Sequence, residues 1–284
     1  MIETLCQQQI VKQLISSSGG NAGHAVATAG EKIGLPVGMS PVVSHLTLLL
    51  DVFVPVTTKP MMIEKLKLRG AQVHVGGANW NEADQFARQA LAISEGSVYI
   101  PPFDHPLIWD GNSTIIDELV ESNMKPGAIV VSVGGGGLLR GIQLGLERHG
   151  WTDVKIIATE THGTASYAAA HAAGEVVSLP KIDSIATSLG ALAVTPSTLQ
   201  SPIETIPLVV SDRDTVVGLI KFTDEQRILV EPACGASLIT VYDDNYYHQI
   251  QNLLEENKDI VVIACGGSVV SVEMILAWKQ QFQL

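Results

Sequence analysis

Apolar residues in this chain come in short, nearly continuous runs, separated by stretches where they recur at helical spacing. Runs of the first kind predict buried strands and stretches of the second kind predict helices packed on them. The clearest unit is 127–140, GAIVVSVGGGGLLR. There Ala128 to Val131 and Val133 make the strand, four glycines follow, and Leu138-Leu139 open a helical period continued by Ile142, Leu144 and Leu146. Residues 13–24, QLISSSGGNAGH, repeat that order, leading to a helix with Ala25, Val26, Ala29 and Ile33 on one face that stops at Gly34-Leu35-Pro36. The pattern then predicts helix 60–69, strand 71–75, helix 81–94 and strand 97–100. PPFDHPLIWDGN follows as a connector at a domain boundary. Helix 113–122 precedes the glycine turn. Strand 154–159, helix 165–173, a loop-rich stretch 176–210, helix 212–225, helical patterns over 233–256, strand 259–264 and helix 271–282 complete the chain. Strands alternating with helices predict an α/β fold with mostly parallel sheets.

One stretch breaks the alternation. GMSPVVSHLTLLLD followed by VFVPVTT doubles the apolar material that a single strand before helix 60–69 needs, so 38–51 reads as an insertion. Gly38-Met39-Ser40 can be encoded with GTATGT, and Leu50-Asp51 with a terminal TAG in the same frame, which is how a retained short intron would read. Sequencing the spliced transcript tests this, and a message that always encodes the stretch refutes it.

The chain has 284 residues, 46% hydrophobic and 16% charged, enough for one large or two modest cored domains. A net charge of −12 argues against nucleic acid and anionic membranes as partners. Three cysteines, Cys6, Cys234 and Cys265, without metal-ligand spacing fit a reducing compartment. The apolar window Pro41 to Val56 is broken by His45 and Asp51 and is too short for a bilayer, and MIETLCQQQI lacks the basic start of a signal peptide. The expectation is a soluble cytoplasmic protein.

A glycine run between strand and helix lets backbone N–H groups converge on an anion, with the helix dipole adding positive potential. A tight turn needing positive φ is the plainer reading, but it calls for fewer glycines than Gly134 to Gly137. Neither a Walker loop nor a GxGxxG fingerprint is present. At 16–23 the hydroxyls of Ser16 to Ser18 and the amides around Asn21 would face a carboxylate or phosphate, where a plain serine N-cap is the alternative. A third turn sets Cys265 at a strand end before Gly266-Gly267-Ser268, as nucleophile, hydrogen-bond partner or buried thiol. Glu160, also at a strand end, reads equally as acid, cation ligand or helix N-cap. Ligands collect at the carboxyl ends of parallel strands, so the three turns could line one cleft.

SSSGGNAG (16–23), YIPPFDHPLIWDG (99–111), SVGGGGLL (132–139), ILVEPACGA (228–236) and ACGGS (264–268), in that order, resemble the L-serine/L-threonine dehydratases. These are fold-type II enzymes dependent on pyridoxal phosphate (PLP). YIPPFDHPLIWDG and ILVEPACGA favour that branch over threonine synthase or cysteine synthase-like lyases.

The resemblance implies a two-domain, tryptophan synthase β-like α/β fold with mostly parallel sheets flanked by helices. A smaller domain would span 1–101, including the insertion, and a larger PLP-binding domain 102–284, without the N-terminal segment usual in the family. It implies that Gly134, Gly135, Gly136, Gly137 and Leu138 cradle the phosphate, that Asn21 meets the ring hydroxyl oxygen, and that Cys265 with Gly266 faces the pyridine nitrogen. Ser18, Gly19, Asn21 and Ala22 would take the substrate carboxylate. Glu160, Thr164, Ser166 and the Leu189 carbonyl would hold a monovalent cation such as potassium. A small amino-acid substrate and a homodimer follow from the same likeness.

The family's PLP-bearing lysine lies in a Ser-x-Lys-x-Arg-Gly motif, a string this sequence does not contain, and Lys12 is the only lysine before the 16–23 turn. The resemblance therefore implies a chain truncated at its start, in which the cofactor binds without a covalent tether and turnover is low or absent. The alternative is a non-catalytic PLP-binding pseudoenzyme or a partner subunit of an intact homologue.

Overall fold

The computed structural model describes residues 1–8, 11–33, 49–78, 80–254 and 258–284. Among these the chain divides into two compact units, Met1–Pro102 and Phe103–Leu284, each carrying a four-stranded parallel sheet.

The first unit runs α1 (Ile2–Gln8), β1 (Gln13–Ser16), α2 (Asn21–Ile33), β2 (Leu49–Val54), α3 (Pro60–Leu68), β3 (Gln72–Val75), α4 (Trp80–Ile93) and β4 (Ser97–Tyr99). Strand order is β3-β2-β1-β4, with Ile15 level with Asp51 on one side and Tyr99 on the other. Leu14, Leu50, Val52, Val54 and Ile100 pack one face of the sheet against Val26 and Ala27 of α2 and Leu66 of α3. The face of α2 differs from the expected one. Gly23, Val26, Ala27 and Gly30 are buried, whereas Ala25 is exposed and Ile33 is 40% exposed. Glycines carry no hydrophobic signal, yet two of the four buried positions of α2 are glycines, and Gly23 lies against the Ser18 backbone and a Leu66 methyl of α3. Residues 38–48 of the stretch read as an insertion lie outside the described residues; Leu49 to Asp51 form the start of β2.

The second unit runs α5 (Pro106–Glu121), β5 (Ala128–Ser132), α6 (Gly137–Arg148), β6 (Lys155–Thr161), α7 (Ser166–Ala173), β7 (Thr205–Val210), α8 (Asp212–Gln226), α9 (Pro232–Tyr242), α10 (Asp244–Gln251), β8 (Ile260–Val262) and α11 (Val272–Gln281). Strand order is β7-β6-β5-β8. Every residue of β5 is buried, as its continuous apolar run predicts for an inner strand. The main core joins Ile129 and Val131 to Leu139, Ile142 and Leu146 of α6, to Ile156 and Ala158 of β6, and to Ile116 of α5.

Two expectations need correction here. Helix α5 starts at Pro106, so most of PPFDHPLIWDGN is not a connector. Pro106 sits in the helix's first turn, where it loses no hydrogen bond, and the His105 ring caps the Leu107 N–H at 3.1 Å. Inside the loop-rich 176–210, residues 205–210 form β7. The strand contains Pro207, whose missing N–H is tolerated because β7 is at the edge of the sheet among the described residues. Helix α1 carried no predictive signal. No helix among the described residues is long and apolar enough to cross a membrane.

Candidate active-site turns

In the second unit, β5 ends at the carboxyl edge of the sheet and the chain turns through Gly134 to Gly136 into α6. Only Gly136 needs positive φ, at +88°. The other glycines answer to their walls. A Cβ on Gly135 would lie 2.3 Å from the Phe103 ring, and one on Gly137 2.5 Å from the Phe103 carbonyl oxygen. A Cβ on Gly134 would come 3.1 Å from Leu189 Cα, and one on Gly136 2.6 Å from a Val194 methyl.

The turn's carbonyls are all engaged, that of Gly136 by the first bond of α6 and the others from outside it. Gly134 O accepts from Ser166 Oγ (3.3 Å), Gly135 O from the Thr195 N–H (3.0 Å), Gly136 O from the Arg140 N–H (2.8 Å) and Gly137 O from Asn112 Nδ2 (3.2 Å). Thr195 is in turn hydrogen-bonded through its hydroxyl to Asp104. With the carbonyls so occupied, the N–H groups opening α6, which no intrahelical acceptor can take, are the turn's available polar groups. Together with the positive end of the helix dipole they suit an anion.

Glu160, in β6, is fully buried and receives the N–H groups of Tyr167 (2.7 Å) and Ala168 (2.8 Å) at the start of α7. Of the three readings, its contacts are those of a helix anchor. Burial pushes its carboxyl up to about 7 against the pull of those donors. Thr164 shares a hydroxyl contact with Thr161 (2.8 Å). Gly134 thus has Ser166 and Leu189 as direct neighbours. Among the described residues, no group of three or more His, Cys, Asp or Glu side chains is arranged to hold a metal ion.

Beside β5, β8 leads to Cys265, an exposed thiol, while the buried thiol is that of Cys234 in α9. A hydrogen bond from Cys234 lowers the Cys265 pKa, and the same bond, with burial, raises that of Cys234. Cys234 Sγ also lies 3.4 Å from the Gly266 carbonyl, which accepts the Glu231 N–H at 3.0 Å. The Glu231 carboxylate bonds Ser188 and the Val269 N–H (2.8 Å), and fills the space where a Gly267 Cβ would stand, 2.3 Å away. The glycine turn, the end of β6 and the Cys265 turn therefore share one sheet edge.

In the first unit, β1 runs into Ser17-Ser18 and α2 begins at Asn21 and Ala22. The Gly20 N–H reaches Ser18 Oγ at 3.3 Å, and a Cβ on Gly23 would stand 1.8 Å from the Ser18 carbonyl. A Cβ on Gly19 would meet the Thr58 methyl at 2.7 Å. The three serines do not act together as expected. Ser16 Oγ is buried without a hydrogen-bond partner among the described residues, and Ser17 Oγ bonds Asp84 (2.7 Å) and Tyr99 (2.8 Å), which leaves Ser18 at the turn. Pattern reading missed Asp84, which looks like one more polar helix position, and Phe103 and Glu231, whose roles depend on distant glycines.

A family model described as pyridoxal-phosphate dependent enzyme matches residues 1–266. The human protein named L-serine dehydratase/L-threonine deaminase is 45% identical over 278 residues, which cover 94% of this chain and 79% of that protein. A rat protein named serine dehydratase-like is 42% identical, covering 97% and 82%. The crystal structure of a fungal L-serine ammonia-lyase from Rhizomucor miehei superposes with a TM-score of 0.85 at 31% identity, covering 99% of this chain and 85% of that one.

Proposed function

Because the chain belongs to the pyridoxal-phosphate-dependent enzyme family, we propose that its turns serve the dehydration of L-serine and L-threonine, in which the α-proton and the β-hydroxyl leave as water and the released enamine then takes up water to give pyruvate or 2-oxobutanoate and ammonia. The observation that carries this reading is the β5–α6 turn, whose four carbonyls are all engaged, three of them by groups outside α6, while its helix-opening amides have no intrahelical acceptor and suit an anion. High identity to proteins named as dehydratases supports the substrate class.

The residues fit the cofactor. Gly134 to Leu138 would bind its phosphate through backbone amides, and the walls around Gly135 to Gly137 keep that turn free of side chains. Bound PLP supplies an electron sink that acidifies the α-hydrogen of an amino acid. Asn21 would orient the ring through its hydroxyl oxygen. Cys265 would meet the ring nitrogen, with Gly266 beside it. Its thiol, polarised by Cys234, is a weaker proton partner than a carboxylate, which moderates the sink and suits β-elimination. Ser18, with the amides of Gly19, Asn21 and Ala22, would receive the substrate carboxylate.

Lys12 precedes β1, at the end of that strand opposite the Ser18 turn. Lys125, Lys155 and Lys181 pair with Asp153, Glu204 and Asp183. These four lysines are thus not offered as the tether, and with no Ser-x-Lys-x-Arg-Gly string in this sequence the reading is a cofactor held without a covalent bond to it, and with that low turnover or a non-catalytic binding role. Borohydride treatment of the PLP-loaded protein followed by peptide mass spectrometry should find no modified lysine of this sequence; a modified lysine contradicts that part. Pyruvate release from L-serine, measured alongside, tests the reaction. The finer parts of the reading are a monovalent cation beside Glu160, Thr164, Ser166 and the Leu189 carbonyl, a homodimer, and a cytoplasmic location. Exchange of potassium for sodium, light scattering and cell fractionation test them in turn.

A further inference from the structure

We propose that Asp84 is a positioning residue that presets the Ser18–Ala22 turn for a carboxylate, an inference that rests on the dehydratase reading of that turn. Asp84 is on α4 and only 8% exposed. Burying a carboxylate is costly unless it is fully bonded. It receives Ser17 Oγ at 2.7 Å, the Tyr99 hydroxyl, and Arg88 Nε at 2.7 Å. The donors come from three places: the end of β1, the end of β4 beside it, and the next turn of α4 itself. The Arg88 guanidinium also lies over the Tyr99 ring, 4.7 Å from its centroid.

Ser17 directly precedes Ser18, so the carboxylate fixes the last residue before the turn. On the far side, Gly23 admits the Ser18 carbonyl to a distance that any side chain would forbid. The turn is thus clamped at both ends, and the Ser18 hydroxyl with the amides after it are held in place before a ligand arrives. Such preorganisation raises affinity by removing the cost of ordering on binding. The Arg88 charge offsets that of Asp84, so the clamp does not repel an incoming carboxylate. Burial raises the Asp84 pKa, but the Tyr99, Arg88 and Ser17 bonds outweigh it and hold the group below the usual carboxylate range. Burial and the bond to Asp84 push Tyr99 up to about 12.

Calorimetric titration of PLP-loaded wild type, Asp84→Ala and Asp84→Asn with L-serine and with L-serinamide, which lacks the carboxylate, tests the inference. The alanine variant should bind L-serine about tenfold more weakly and L-serinamide as wild type does, with the asparagine variant in between. Equal losses for both ligands, or no loss, overturn it. If the alanine variant does not fold, the asparagine variant decides by the same criterion. A wild type that fails to prefer L-serine over L-serinamide counts against the dehydratase reading itself. Hydrogen exchange in the cofactor-free protein then judges the clamp separately. Amides of Gly19 to Ala22 should exchange faster in Asp84→Asn, and unchanged exchange overturns the clamp.

Discussion

At the β5–α6 turn the atoms that forbid a side chain on Gly137 belong to the Phe103 backbone, whereas at the β1–α2 turn the atoms that forbid one on Gly19 are the ends of Thr58 and Val54. The first turn is held by engaged carbonyls and close walls, and what it offers a ligand is backbone. The second is held at one end by side chains, namely Ser17, Asp84, Tyr99 and Arg88, and at the other by the Ser18 carbonyl against Gly23, and it offers the Ser18 hydroxyl as well. Two turns of similar sequence are therefore suited to different tasks. Backbone cannot be changed by substitution, which fits a constant group such as a phosphate. Side chains can be changed one at a time, which fits the part of a ligand that varies.

Gly137→Ala should produce the largest effect. Its Cβ meets a carbonyl that cannot step aside without moving the chain, so the variant should lose about 1–3 kcal/mol of stability and bind PLP on the order of 100-fold more weakly. Thermal unfolding and absorbance titration measure the two, and near-wild-type values would erase the contrast between the turns.

The two units should also respond to pH with opposite signs. Glu160 has a folded pKa near 7 against an ordinary 4.5, so between those values the folded state holds the extra proton. Its contribution is present at low pH and is lost as pH rises through that window, by at most about 3 kcal/mol. Asp84 is lowered instead, so its contribution is present above the ordinary carboxylate value and is lost as pH falls through its depressed folded value. Urea unfolding across pH should show Glu160→Gln flattening the decline toward neutrality and Asp84→Asn flattening the acid limb. The same slope in wild type and variant would contradict either assignment.

Gly19→Ala should cost up to about 2 kcal/mol, and Thr58→Ala in the same chain should restore most of it, because both offending Thr58 atoms are removed. Failure of the rescue would place the obstacle in the backbone and dissolve the distinction. Ser18→Ala should have the smallest effect, about 1 kcal/mol in stability from the lost Gly20 contact, with weaker L-serine binding and unchanged PLP affinity.

What could be read from the chain follows the same division. β5 and α6 are legible because a strand buried on both faces is a continuous apolar run and its helix keeps a clean period. β7 is hidden by Pro207, whose cost depends on an edge position that only the assembled sheet reveals. The start of α5 is hidden because Pro106 reads as a breaker until it is seen in the first turn. The glycine quartet was legible as a feature, but the reason for most of it is not an anion alone: Phe103, Val194 and Leu189 press on the turn, and no local pattern announces contacts so distant in sequence. Asp84 was illegible for a related reason. A polar residue in NEADQFARQ looks like a solvated position, and only the fold brings Ser17 and Tyr99 to it.

The central claim is that the β5–α6 amides hold a phosphate. Equilibrium titration of the protein with PLP and with pyridoxal, which differs only by that phosphate, addresses it most directly. Two or more charge-assisted bonds to the turn should make PLP bind about 100-fold tighter or better. Equal affinities for the two compounds would mean that the glycine turn holds no phosphate.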